Sequence, residues 1–247
     1  MLPPKDPRHR ALLRIFTPAQ ELPFAGHPTV GAAVLLGSID GGAATRAMIV
    51  EEAIGPVQCM VETLSAERGR ARFSLPQLPA QAGRPPADAT IVAALGLSET
   101  DLGIGAMQPS VWSAGIAITF VPVNRLSAVC DCRPEPGKLT AVFGNSPVYV
   151  FCAETVESGH SYHARMFAPA LGVAEDPATG SAAAALAGLL AAKAGLADGD
   201  HTIAVEQGYE MGRPSLIRLG LTIEAGKFVS GWVGGDAVMV SEGVVTA

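Results

Sequence analysis

Arg14-Ile15-Phe16-Thr17-Pro18 and Arg165-Met166-Phe167-Ala168-Pro169 are two versions of one sequence element. The first is followed by a turn rich in Gly, His, Pro and Thr, and the second by a turn of Asp, Pro, Thr, Gly and Ser. An apolar run follows each turn. Self-similarity of this kind predicts a duplicated fold, with a functional site between the two halves.

The repeat continues downstream, but its two copies differ in length. Val50-Glu51-Glu52 has a counterpart in Val205-Glu206-Gln207, and each is followed by a turn containing Gly and Pro. About 54 residues run from Val111 to the second Arg-x-Phe-x-Pro element, whereas 13 precede Arg14, a deficit of roughly 40 residues. We therefore expect the first half to be truncated at its amino end.

The length and the repeat together predict two domains. A chain of 247 residues can form two compact cores of ordinary size. We place the domains at residues 1–107 and 108–247, with a boundary near Gly103 to Pro109 and a last strand that could pack back on the first domain. The pattern of many short strands and few helices indicates an α+β protein.

Composition excludes several classes of function. The net charge is −6 and no Lys/Arg cluster occurs, which argues against a nucleic-acid partner. The longest apolar run, Ala182 to Ala192, is too short to span a membrane. The amino end lacks the basic and apolar segments of a signal peptide, so we expect a cytoplasmic protein with a small-molecule ligand.

The four cysteines indicate neither a disulfide scaffold nor a zinc knuckle. They are scattered along the chain, and the spacing Cys130-x-Cys132 does not match that of a zinc knuckle; the four are Cys59, Cys130, Cys132 and Cys152. We expect reduced thiols.

Periodicity and Gly/Pro punctuation predict the secondary structure. The predicted helices are Thr29 to Leu36, Ala87 to Leu95 and Ser181 to Ala194, the last apolar on all sides and therefore enclosed by sheet. Turns are predicted at Arg133 to Gly137 and at Glu175 to Ser181. The predicted strands are Leu12 to Phe16, Met48 to Glu52, Val57 to Thr63, Ala71 to Leu75, Val111 to Val123, Pro147 to Ala153, His160 to Phe167, Thr202 to Gln207, Ser215 to Ile223 and Phe228 to Val240.

A glycine-containing turn before each apolar helix indicates an anion site. Free backbone amides and the positive end of the helix dipole would converge there. A carboxylate ligand would be held by the amides near Gly180 and Ser181, with His27 and Asp176 beside it as an acid/base pair. Each residue also has a structural alternative: His27 as a cap or packing residue, Asp176 and Ser181 as turn or cap residues, and Gly212-Arg213-Pro214-Ser215 as a β-turn.

Three motifs resemble those of the PhzF family, named for an isomerase of phenazine biosynthesis. They are Glu21-Leu-Pro-Phe-Ala-Gly-His-Pro-Thr-Val-Gly, Glu175-Asp-Pro-Ala-Thr-Gly-Ser-Ala and Gln207-Gly-x-x-Met-Gly-Arg-Pro-Ser. The resemblance covers essentially the whole chain from about Leu2. It implies the diaminopimelate-epimerase-like fold, with two pseudo-symmetric domains, each a β-barrel or curled sheet around a central helix, and an active site in the cleft.

The resemblance also implies a reaction and its residues. The well-described family member isomerises trans-2,3-dihydro-3-hydroxyanthranilate by proton transfer, without metal or other cofactor. The family's catalytic positions fall on His27, Asp176 and Ser181. Substrate-binding positions then fall on Gly26, Thr29, Thr179 and Gly180, with Arg213 and Ser215 in support. The related two-thiol racemases have cysteines at these turns, and neither turn here contains one.

The sequence departs from the family at its amino end. Family members carry their principal proton carrier, a glutamate in a Ser-Glu-Thr segment, before the part that matches Met1. Ser98-Glu99-Thr100 repeats the tripeptide near the domain boundary, where we interpret it as coincidence. Two hypotheses follow: an isomerase acting on a small carboxylic acid, and a non-catalytic carboxylate-binding protein of the same fold. A shortened first half would expose a sheet edge and an apolar helix face, which predicts a homodimer, a swapped assembly or poor solubility.

Overall fold

The computed structural model describes residues 1–17, 20–41 and 45–244. Pro18 of the first repeat copy lies outside these residues. The helices are α1 (Gly26–Asp40), α2 (Asp88–Leu95), α3 (Leu126–Asp131), α4 (Pro136–Phe143) and α5 (Gly180–Lys193). Across the described residues, no helix is both long and apolar enough to cross a lipid bilayer.

Strands make up most of the remaining regular structure. In the first half they are β1 (Ala11–Leu12), β2 (Ile15–Phe16), β3 (Glu21–Leu22), β4 (Thr45–Glu52), β5 (Gly55–Thr63), β6 (Arg68–Ser74) and β7 (Ala80–Gln81). In the second half they are β8 (Ser110–Ser113), β9 (Ala117–Pro122), β10 (Val148–Cys152), β11 (Tyr162–Ala168), β12 (Val173–Asp176), β13 (Gly199–Gln207), β14 (Ser215–Glu224) and β15 (Lys227–Val238).

One 13-stranded sheet runs through both halves in the order β1-β4-β5-β6-β15-β14-β13-β11-β10-β9-β8-β7, with β12 paired to β11. The last strand, β15, pairs antiparallel with β14 on one side and with β6 on the other. A strand from the end of the chain therefore completes the sheet of the first half. Strands β2 and β3 form a separate hairpin.

Each half wraps its strands around one helix, as the sequence predicts. Helix α1 packs against β5, β6 and β15, and helix α5 against β14, β15 and β8. Residues 182–190 of α5 are buried without interruption, because sheet surrounds this alanine- and leucine-rich helix. The fold is the diaminopimelate-epimerase-like α+β fold that the motifs imply.

The two halves repeat their polar contacts as well as their strands. Arg14 forms a bidentate ion pair with Glu21 and stacks 4.9 Å from the Phe16 ring. Arg165 does the same with Glu175, and it too lies 4.9 Å from its aromatic partner, Phe167. This correspondence aligns Gly26 with Gly180.

A second repeated contact is a carboxylate that binds two consecutive backbone amides. Glu51 on β4 accepts hydrogen bonds from the amides of Lys5 and Asp6. Its counterpart Glu206 on β13 accepts them from the amides of Val156 and Glu157. Each glutamate anchors a loop to the same end of its strand.

Four sequence predictions of local structure are wrong in part. The strand predicted over Leu12 to Phe16 is two short strands, β1 in the large sheet and β2 in the separate hairpin. The turn predicted around Arg133 to Gly137 ends at Glu135, because Pro136 and Gly137 form the first turn of α4. The strand predicted over Val111 to Val123 is two strands, β8 and β9, separated by a glycine turn at Gly115. Glu175 and Asp176 belong to β12, because β11 pairs with them, and the turn begins at Pro177.

Candidate active site

The two central helices meet end to end at a pair of glycines. A Cβ atom built on Gly26 would lie 2.5 Å from the Cα of Gly180, and one built on Gly180 would lie 2.7 Å from the Cα of Gly26. Both distances are far below van der Waals contact. The two helix ends approach this closely only because neither residue carries a side chain.

Backbone amides converge at this junction. The caps of α1 and α5 are Ala25 and Thr179, and neither forms a side-chain cap hydrogen bond. The amide nitrogens of His27 and Ser181 both lie within a few ångströms of the paired glycines. Two positive helix ends therefore point at one place, which favours an anion. Because α5 begins at Gly180, Ser181 is not its cap.

A cavity of about 300 Å³ opens beside the junction, between the helix ends and strands β14 and β15. Its lining includes Gly26, His27, Gly180 and Ser215. The His27 side chain is exposed, and Ser181 is partly buried on the opposite helix. The volume lies at the lower end of the range for small-molecule sites.

Asp176 lies at the end of β12 and is held by Thr179. The Thr179 hydroxyl donates a 2.6 Å hydrogen bond to Oδ2 of Asp176. The predicted substrate-binding residue Thr179 is itself buried, so its side chain orients Asp176 at the mouth of α5. The Asp176 carboxylate therefore lies beside the amino end of α5.

Gln207 connects this turn to the core, and sequence reasoning assigned it no role. Its amide nitrogen donates to the Asp176 carbonyl at 2.6 Å and to the Thr179 hydroxyl at 2.9 Å. Its carbonyl oxygen accepts from the Thr179 amide and from the hydroxyl of Tyr149, each at 3.3 Å. All four hydrogen-bonding positions of this buried side chain are used. The sequence does contain a signal for it, because Glu206-Gln207 repeats Glu51-Glu52 of the first half.

Glu52 occupies the corresponding position beneath α1 and was also missed. Its Oε1 lies 2.6 Å from the Thr29 hydroxyl, while its Oε2 is buried without a hydrogen-bond partner. Burial raises the pKa of Glu52 to about 7. Burial, and then the Glu52 charge, raise the pKa of the Cys59 thiol to about 12. The side chain of Thr29 is fully buried, so it contacts Glu52 rather than the cavity.

The loop from Gly208 to Ser215, which contains Arg213 and is called the Arg213 turn, lies against the turn that begins at Pro177, called the Asp176 turn after the residue before it. Gly208, at a φ of 82°, is so closely packed that an added Cβ would lie 2.4 Å from the Arg213 carbonyl and 2.9 Å from that of Pro177. The Ser215 hydroxyl donates to the Arg213 carbonyl. The backbone here is a turn that positions Ser215 at the cavity, and the Arg213 side chain is exposed.

Ser98-Glu99-Thr100 forms a local turn. The Ser98 hydroxyl accepts from the Thr100 amide, and Asp101 binds back to the Ser98 amide in a capping box. Asp101 also pairs with Arg125. The tripeptide has a structural explanation of its own.

The chain matches the PhzC-PhzF family, described as phenazine biosynthesis-like protein, over residues 1–243. It belongs to the PhzF family. An uncharacterized isomerase of Mesorhizobium japonicum is 42% identical, with 98% of this chain and 82% of the relative covered. The trans-2,3-dihydro-3-hydroxyanthranilate isomerase of Pseudomonas chlororaphis is 32% identical, with 95% and 79% covered.

Solved structures support the family fold. The phenazine biosynthesis protein of Bacillus anthracis, a PhzF family member, superimposes with a TM-score of 0.82 at 21% identity, covering 95% of this chain and 80% of that one. This PhzF-family chain is thus an isomerase homologue with the fold that its repeat predicts.

Proposed function

We propose that this protein isomerises a small carboxylic acid by moving a proton between two carbon atoms, without a cofactor. The observation that carries the proposal is the end-to-end contact of α1 and α5 at Gly26 and Gly180. Free amides at both helix ends would hold the substrate carboxylate, with Ser181 as a further donor. The sequence relationship to the Pseudomonas isomerases supports a cyclic, unsaturated carboxylic acid as substrate.

Proton transfer in this proposal uses the polar groups beside the anion site. Asp176 and His27 lie at the mouths of opposite helices and would relay the proton between the two carbon atoms. The substrate carboxylate, fixed by the amides, would orient the acidic C–H bond toward these groups. Arg213 and Ser215 would support the cavity wall. A positioned acid/base group of this kind contributes about 10² to 10⁴ in rate.

The test is incorporation of solvent deuterium into trans-2,3-dihydro-3-hydroxyanthranilate and related acids, followed by mass spectrometry. We expect Asp176→Asn to lower the rate of incorporation by about 10²-fold or more with little effect on folding. Asp131→Asn, at an exposed position on α3, is the matched control and should exchange at the wild-type rate. Full activity of Asp176→Asn would contradict the assignment.

A second function is supported by the bond between Thr179 and Asp176. Because the Asp176 carboxylate already accepts a 2.6 Å hydrogen bond, it could act only to shape the turn. The protein would then bind a carboxylate without turnover. Calorimetric binding of the same acids without any deuterium incorporation would favour this alternative.

A further inference from the structure

Three side chains of types that commonly bind metal ions lie together beside the Arg213 turn. Cys130 at the end of α3, His163 on β11 and Glu210 after β13 bring one ligand atom each within 4.8 Å of one another. The Glu210 Oε1 atom is 3.3 Å from the Cys130 sulfur and 2.9 Å from Nε2 of His163. Three separate elements therefore converge on one point.

The three ligand atoms are near enough to one another to share a small divalent cation. A tetrahedral zinc ion with bonds of about 2.0–2.3 Å separates its ligand atoms by roughly 3.3–3.8 Å. The separation between Cys130 and Glu210 lies at the lower end of that range, and the hydrogen-bond distance between His163 and Glu210 is shorter, so these two side chains would move slightly apart to admit the ion. Thiolate, imidazole and carboxylate together form a donor set that zinc prefers, with a fourth position left for water.

A second carboxylate fixes the histidine for ligation. Oε1 of the fully buried Glu206 lies 2.7 Å from Nδ1 of His163. This contact keeps a proton on Nδ1, which donates a hydrogen bond to Glu206, and leaves Nε2 facing Cys130 and Glu210, the arrangement common among metal-bound histidines. The fold itself does not require the histidine, because the first half has Leu12 opposite Glu51 where the second has His163 opposite Glu206.

The nearest positive charge, that of Arg165, is paired with a carboxylate outside the cluster. Arg165 reaches within 3.9 Å of Glu210, but its guanidinium is already bound to the Glu175 carboxylate at 2.8 and 2.9 Å. Oε2 of Glu210 is buried and has no hydrogen-bond partner.

We propose that Cys130, His163 and Glu210 bind a zinc-type divalent cation outside the substrate cavity. The ion would bind the Cys130 sulfur as a thiolate, so binding releases the thiol proton. Glu210 belongs to the same loop as Gly208, which contacts Pro177. The ion would therefore brace the loop that supports the Asp176 turn.

The test is titration of the chelator-treated protein with Co²⁺, whose thiolate complexes show a sulfur-to-metal charge-transfer band. We expect one equivalent to bind with this band, and Zn²⁺ to displace it. Cys130→Ala should lose the band, and Glu210→Gln should weaken binding by about 10-fold or more. Cys59→Ala, which removes a buried thiol in the first half, should bind as the wild type does.

Circular dichroism of each variant separates lost binding from lost folding. A folded Cys130→Ala protein that binds Co²⁺ with an unchanged band would overturn the proposal. So would a wild-type protein that takes up no Co²⁺. Either result leaves the isomerase proposal intact, because that proposal is tested separately by deuterium incorporation in the wild type and in Asp176→Asn.

Discussion

Glu52 is a buried carboxyl group whose protonation affects stability. The single proton of the Thr29 hydroxyl faces two acceptors, the Ala25 carbonyl at 2.7 Å and Glu52 at 2.6 Å. A protonated Glu52 resolves this conflict by donating to Thr29. Burial raises its pKa from an ordinary 4.5 to about 7, against the opposing effect of the Thr29 hydrogen bond.

The sign of the pH effect follows from that shift. A group whose pKa is higher in the folded than in the unfolded state contributes its full stabilisation at pH values below the unfolded-state pKa. This contribution is lost as the pH rises through the folded-state pKa. The wild type should therefore lose stability between pH 4.5 and a little above pH 7. The loss is on the order of 3 kcal/mol at most.

Glu52→Gln should remove this dependence and stabilise the protein above pH 7. The second half already has Gln207 at the matching position, where its amide is fully hydrogen-bonded. Urea unfolding at pH 5.5 and 8.5, taken as about 1.5 units either side of the folded pKa, measures the effect. Glu67→Gln is the exposed control. Equal pH profiles for Glu52→Gln and the wild type would contradict the prediction.

At the scale of elements, the contact between α1 and α5 depends on two glycines. Alanine at Gly180 would place a methyl group 2.7 Å from the Gly26 backbone, where no flexible side chain can move aside. We expect Gly180→Ala to cost about 1–3 kcal/mol, as other overpacking substitutions do, and to reduce ligand binding by separating the amides.

Gly31→Ala is the matched control for that variant. Gly31 also lies in α1, but nothing stands within 4 Å of a Cβ at this position. Alanine there should stabilise the helix by up to about 1 kcal/mol. Thermal unfolding of both variants compares the two effects, and equal melting temperatures for Gly180→Ala and the wild type would show that the helix ends can move apart.

At the scale of the whole molecule, the sheet ends at β1. In the described part of the chain, β1 pairs with β4 on one side and has only the Leu2–Leu12 bridge on the other. The outer face of the first half also carries a cavity of about 780 Å³ lined partly by Met60, which is 38% exposed. An open sheet edge beside apolar surface favours association.

We predict a homodimer that covers this face. Sedimentation at micromolar concentration should give the mass of two chains, and Met60→Glu should shift it toward one. Val156→Glu, at an exposed apolar residue of the second half, should leave the mass unchanged. A monomeric wild type would refute the dimer.

Local patterns predicted much of this molecule. The Arg-x-Phe-x-Pro repeat located both central helices, and the turns before them located Gly26 and Gly180. The helix from Pro136 was missed because prolines and glycine around it resemble a turn when tertiary packing is ignored. Gln207 and Glu52 were missed because a polar residue at a strand end gains its role only from what it contacts.

The sequence by itself determined the duplication, the presence of the two central helices and the family, because these depend on residues adjacent in the chain. Only the tertiary structure decided which atoms meet. Gly26 contacts Gly180, and Cys130 contacts Glu210, across separations that no local pattern specifies. Burial then determined protonation. A glutamate on the surface is ionised at neutral pH, whereas the pKa of the buried Glu52 is raised because low-polarity surroundings disfavour its charge.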